Sequence, residues 1–207
     1  MTPRELRVCR LFGLDAGETN TTPARDREWA RASTALDRAL RVGEVALVTG
    51  PSGAGKTRVL RSLSRRLGRR AVSNAPRRGP CDRRSVIEWF GGELNGSMKA
   101  LALAGLAEAA VLVTPVRVLS AGQRHRLDIA RCARRAARSS GTLIIDEFCS
   151  LLDSVTAEGV SGCLRRMIAG TRGRAVVATA REEVAHSLRP DVLLYLTLDG
   201  RWELVRR

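Results

Sequence analysis

Short unbroken apolar runs alternate along this chain with stretches whose apolar residues recur every three to four positions. Residues 44–49, EVALVT, lie between Gly43 and Gly50, and that pattern predicts a short buried strand. In residues 56–67 the apolar positions Val59, Leu60, Leu63 and Leu67 fall at helical spacing, and Gly68 predicts the end of that helix. Residues 14–34 read as a loop leading into a short helix, and residues 74–83, with two prolines, a glycine and three arginines, as another loop. Helices are predicted near 84–90 and 97–110, and a longer one over 121–138. Beyond it come a strand over 142–145, a helix over 155–169, a strand over 174–179 and a short helix over 182–188. Strands at 192–197 and 202–205 close the chain.

Strands alternating with helices predict an α/β domain with a mainly parallel sheet. Residues 84–138 lack a clear strand and read as an inserted helical subdomain. That leaves 1–83 and 139–207 as the α/β core of a single domain, which agrees with a length of 207 residues and 44% hydrophobic content.

Charge adds one constraint. Lys and Arg number 36 against 21 Asp and Glu, a net charge of +15, and only Lys56 and Lys99 are lysines. So basic a chain suits nucleic acid, acidic lipid or another polyanion as partner. Arginine in place of nearly every lysine is equally the mark of genomic base composition, and both readings stay open. The five cysteines are scattered without a C-x-x-C pair, which argues against a disulfide framework or zinc site and for a reduced, cytoplasmic setting. Residues 1–10 carry no apolar signal-peptide core, and residues 101–113 are too short to span a bilayer.

The first chemical motif follows the first strand. Gly50-Pro51-Ser52-Gly53-Ala54-Gly55-Lys56-Thr57 matches G-x-x-x-x-G-K-[ST] between a strand and a helix, the context a phosphate-binding loop requires. Glycines let the backbone wrap an anion so that N–H groups and a helix N-terminus face it. Lys56 can then reach the outer phosphates and the Thr57 hydroxyl can hold Mg²⁺. The second motif is Leu143-Ile144-Ile145-Asp146-Glu147, an apolar strand ending in two carboxylates. Asp146 would hold Mg²⁺ through water, and Glu147 would orient and deprotonate an attacking water, an arrangement that favours hydrolysis.

The third motif, Leu119-Ser120-Ala121-Gly122-Gln123-Arg124, opens the long basic helix. It resembles the signature motif of ABC-type ATPases, usually written LSGGQ. Residues 146–153, DEFCSLLD, likewise resemble that family's Walker B and D-loop run, with Ser150, Leu152 and Asp153 matching the D-loop. The motif order agrees, over roughly residues 28–198. The resemblance is to a small, stand-alone, divergent member. It implies a P-loop NTPase fold with the signature on the helical subdomain, and Mg²⁺-dependent ATP hydrolysis. It also implies a head-to-tail homodimer in which Ser120 and Gly122, with Gln123 nearby, meet ATP held by the other copy's P-loop.

Three departures qualify the resemblance. Ala121 stands for the first signature glycine. Ala180 or Arg181 stands where the family has its switch histidine, and His186 falls on a helix surface beyond it. An arginine can meet a γ-phosphate but cannot relay a proton, which points to slow hydrolysis. Gln123 is the only glutamine, so the family's Q-loop residue is missing, and Asn74 and Asp82 are its candidate substitutes. Trp29 precedes the first strand at a distance suited to stacking on adenine, and equally to packing against the sheet edge. The missing glutamine and a short segment from Thr57 to Ser120 weigh against an integral membrane partner. An unknown protein partner, nucleic acid met by the arginines of 58–84, and a binding module with little hydrolysis remain as alternatives.

Overall fold

The apolar runs form one six-stranded sheet in the computed structural model, which describes residues 23–73, 83–150 and 152–207. Its strands are β1 (Val45–Thr49), β2 (Ala71–Ser73), β3 (Thr142–Ile145), β4 (Arg174–Ala178), β5 (Val192–Leu196) and β6 (Trp202–Arg206), in the order β2-β3-β4-β1-β5-β6. All neighbours are parallel except β6, which runs antiparallel to β5. The central strands read as continuous apolar runs because helices cover both faces.

Alternation along each strand sorts the core. Ala46, Val48, Ile144 and Val176 point to the face covered by α1 (Pro23–Ala39) and α2 (Lys56–Leu67). Val45, Leu47, Leu143, Ile145 and Val177 point to the other face. That face is covered by α6 (Ala121–Ser139), α7 (Ser154–Ile168) and α8 (Glu183–Leu188). A third apolar cluster, built around Leu101, Leu106 and Leu127, joins α3 (Val86–Phe90), α4 (Leu94–Leu103) and α5 (Ala109–Val113) to α6. The long helix α6 serves two cores, with Ile129, Ala133 and Ala136 against the sheet and Leu127 and Ala130 against the helical cluster.

The predicted α/β class and helical insert agree with this architecture, and α2 and β3 carry the predicted limits. Four details differ. The first helix is not short but runs 17 residues. Strand β2 was not predicted, since three residues cannot display a period, and its parallel pairing with β3 creates it. The helix predicted over 97–110 starts earlier, at Leu94, because the Glu93 carboxylate accepts from the amides of Asn95 and Gly96 at 2.8 and 2.7 Å. It also breaks into α4 and α5 at Gly105, whose φ of +76° ends the first piece. Among the described residues no helix is long and apolar enough to cross a membrane.

Candidate nucleotide-binding and catalytic site

Strand register sets the stage for the site. β4 lies between β1 and β3, with Val48 level with Ala178 and Ile145 level with Val177. The carboxyl ends of all three strands therefore open on the same edge, where ligands bind in open parallel sheets. From β1 the chain turns at Gly50, where a Cβ would stand 2.1 Å from the Leu196 carbonyl oxygen, so only glycine fits. Gly55, at φ +97°, packs its bare Cα on the Trp29 indole, where a Cβ would lie 2.3 Å from Nε1. Helix α2 then starts with no side-chain cap and no acidic residue in its first turn. Its leading N–H groups are left to meet an anion.

A cleft of about 610 Å³ occupies this edge. Ser52, Gly53, Gly55, Lys56 and Thr57 line one side of it, and Asp146, Glu147 and Ser150 another. Thr179, Ala180 and Arg181, which follow β4, line it as well, together with Trp29 and Arg58. The Lys56 ammonium donates to the carbonyl oxygens of Gly50 and Pro51, at 2.7 and 2.8 Å. Burial pushes its pKa below the ordinary lysine value, against the upward pull of the Asp146 carboxylate. Glu147 sits at φ +50° and donates its amide to Asp146 Oδ1 at 3.1 Å. The donor set, the Thr57 hydroxyl beside the Lys56 ammonium and the uncapped start of α2, with the Asp146 carboxylate across from them, fits a triphosphate with its divalent cation.

The sequence-derived residues divide into three groups. Ser52, Gly53, Gly55, Lys56, Thr57, Asp146 and Glu147 come together in the cleft. Gly50 and Ala54 shape the loop instead of lining the cleft: Ala54 is buried in the core beneath it. Ser120, Gly122 and Gln123 lie outside the cleft lining of their own chain. There Ser120 Oγ accepts from the Gln123 amide at 3.2 Å and Gln123 Oε1 accepts from the Ser120 amide at 3.0 Å, a reciprocal capping box. Gly122 lies against the loop after β3, where an added Cβ would stand 3.2 Å from Leu152 Cδ2.

Trp29 is placed differently from the stacking expectation. The ring is only 6% exposed and belongs to the core beneath α1 and α2. The Arg58 guanidinium covers it at 5.2 Å from the ring centroid, with Asp26 3.5 Å from Arg58. The face a stacked base needs is therefore occupied by the protein. It sits in the core beside the P-loop, not at a sheet edge. Asn74 and Asp82, the candidate substitutes for a Q-loop residue, lie outside the described residues. His186 is exposed on α8 and does not line the cleft.

Arg181 lines the cleft, with its guanidinium turned to protein partners. Its guanidinium donates to the carbonyl oxygens of Cys149 (3.0 Å) and Leu152, to Ser154 Oγ (3.0 Å) and to Glu183 Oε1 (2.8 Å). Sequence reasoning missed Thr179 and Arg58 as cleft residues. Nothing local marks Thr179: it matters because β4 lies between β1 and β3.

Sheet order, phosphate loop and paired carboxylates define a P-loop nucleoside triphosphatase fold. A family model described as the AAA ATPase domain matches residues 21–191, and the chain belongs to that family. Its fold is that of the ATP-binding cassettes. The chain is similar to the cassette MJ0796, solved as a dimer in a post-hydrolysis state with ADP and Pi, at 21% identity and TM-score 0.61 over 81% of this chain and 88% of that one. It is similar to the cassette MJ1267 in its ADP conformation at 15% identity and TM-score 0.60, over 81% and 82% of the two chains. A bacterial Atm1-family ABC exporter with ATP bound matches at 19% identity and TM-score 0.58, over 81% of this chain and 34% of that one. No curated protein matches the chain in sequence.

Proposed function

We propose that this protein binds and hydrolyses ATP with Mg²⁺, and that two copies close head-to-tail over the nucleotide as a switch. The observation that carries this reading is the meeting of Lys56, Thr57, Asp146 and Glu147 around one cleft. Lys56 and the amides of the P-loop hold the phosphates. Thr57 and Asp146 hold the metal ion, which when bound neutralises charge on the phosphate oxygens. Glu147, at the cleft mouth, accepts the proton of the attacking water. Ser120, Gly122 and Gln123 of one copy meet the nucleotide of the other; that the similar MJ0796 cassette was solved as a dimer with ADP and Pi supports pairing of two copies. We place this switch in the cytoplasm, where five scattered cysteines without a C-x-x-C pair suit a reducing setting.

ATP turnover by the wild type, lost in Glu147→Gln, tests the enzyme; ATP-dependent dimers of Glu147→Gln in size-exclusion chromatography test the switch. Monomers at saturating ATP would sink the head-to-tail arrangement. A second reading, a nucleotide-dependent binding module with little hydrolysis, is favoured by one observation: among the described residues no histidine lines the cleft. Equal, slow turnover in wild type and Glu147→Gln would select it. An ATPase subunit serving a separate membrane chain is distinguished by co-purification with that chain. A nucleic-acid partner would meet the exposed arginines of α2, such as Arg61 and Arg65.

A further inference from the structure

The loop between β3 and α7 is held in a conformation its residues do not favour. Glu147 and Cys149 both have positive φ, +50° and +60°, without being glycine. Such backbone persists only where the surroundings over-determine it. Two anchors do so here, and both come from the end of β4. The first is the Ala178 carbonyl, which accepts from the amide of Phe148 at 2.7 Å, the Phe148 side chain being fully buried. The second is Arg181, three residues further along.

Arg181 itself is aimed by its own backbone, since its amide donates to Thr179 Oγ1 at 3.1 Å. Four of the five guanidinium N–H groups are taken, by two loop carbonyls, the Ser154 hydroxyl and the Glu183 carboxylate. A planar fork can serve two carbonyls and a hydroxyl from one position, which a lysine ammonium cannot do. The loop segment it grips has two working ends. Glu147 and Ser150 face the cleft, and Leu152 packs on Gly122 at the start of α6.

We propose that Arg181 is a positioning residue that locks this loop, setting the aim of Glu147 and the seat of the α6 start together, and is not a phosphate contact. The inference rests on the ATPase reading above. It makes Arg181 an internal brace in the stretch, Ala180–Arg181, where the resembled family has its switch histidine, so the cleft and the signature helix of one chain are tied through a single side chain.

Arg181→Ala and Arg181→Lys decide the matter in the full chain. A brace predicts that kcat falls about tenfold or more in Arg181→Ala while KM for ATP stays within about twofold, because misplacement of a catalytic group slows chemistry without removing binding. Arg181→Lys resembles Arg181→Ala, since charge survives and the fork does not. Hydrogen exchange in the nucleotide-free protein speeds up in the loop after β3 in both variants, and the P-loop amides are unchanged. Unaltered kcat in Arg181→Ala overturns the proposal. So does a KM that rises about tenfold and is restored by lysine, the pattern of a charge on phosphate. If the wild type shows no turnover that Glu147→Gln abolishes, the ATPase reading fails. Exchange at the loop then still reports whether Arg181 holds it, and unchanged loop exchange rejects the brace.

Discussion

Two helices of this protein start in ways able to receive an anion, and they leave that end in opposite states. Helix α2 begins after Gly55 with no side-chain cap, and its lysine is folded onto two loop carbonyls. Helix α6 begins at Ser120 with its end closed by the reciprocal bonds to Gln123. Neither helix has an acidic residue in its first turn, so both keep the partial positive charge of their N-terminus. The open end lies in a cleft with two carboxylates at hand, whereas the closed end lies outside that cleft. An unsatisfied helix start is completed by what binds it, and a capped one stands without a ligand. Under the proposed function, the difference gives α2 the primary anion and leaves α6 able to wait, folded, for an anion brought by another chain.

The comparison can be broken most sharply at the carboxylate beside the open end. Glu147→Gln is expected to lower turnover roughly a hundredfold or more while ATP binding persists, measured by phosphate release and equilibrium binding. Lys56→Ala comes next, weakening ATP binding by about ten- to a hundredfold through loss of a charge-assisted bond. Wild-type affinity in that variant would remove α2 from its role. At the closed end, Ser120→Ala should cost about 1 kcal/mol of stability in thermal unfolding, the usual worth of a cap. It leaves ATP binding by the single chain unchanged and weakens ATP-driven dimers in the Glu147→Gln background. Should it weaken ATP binding by the monomer instead, the two helix starts are not separate sites.

The smallest effect is a pH dependence. Burial lowers the Lys56 pKa from its ordinary value, 10.5, so the free protein loses this positive charge at a lower pH than an exposed lysine would. ATP affinity should therefore decline as pH rises toward that ordinary value, and the decline should vanish in Lys56→Ala. The Ser120 cap contains no titratable group, so Ser120→Ala should leave that alkaline limb in place.

Motifs contiguous in the chain were legible in full. The P-loop needs only a strand, a glycine-rich turn and a helix in succession, and residues 45–67 supply all three. The Asp146–Glu147 pair is legible for the same reason, since it stands at the end of its own apolar strand. Trp29 was not, because its sequence distance from Lys56 suits a ligand contact and a core contact alike. Its burial depends on Gly55 leaving room for the indole and on Arg58 covering the ring. Strand β2 was not legible because its pairing with β3 creates it.

Arg181 shows where the boundary lies. That Ala180 or Arg181 stands where the resembled family has its switch histidine is legible in residues 176–181, and so is the absence of a proton-relaying side chain there. What the guanidinium does depends on partners 32 positions away at Cys149 and 27 away at Ser154. The chain sets the chemistry of each group through the atoms it carries and its near neighbours. Which distant groups it meets follows from strand order and register, here β4 lying between β1 and β3. The identity of the cleft's reactive groups was therefore present in the linear chain, and the brace behind them came into being only when the sheet was assembled.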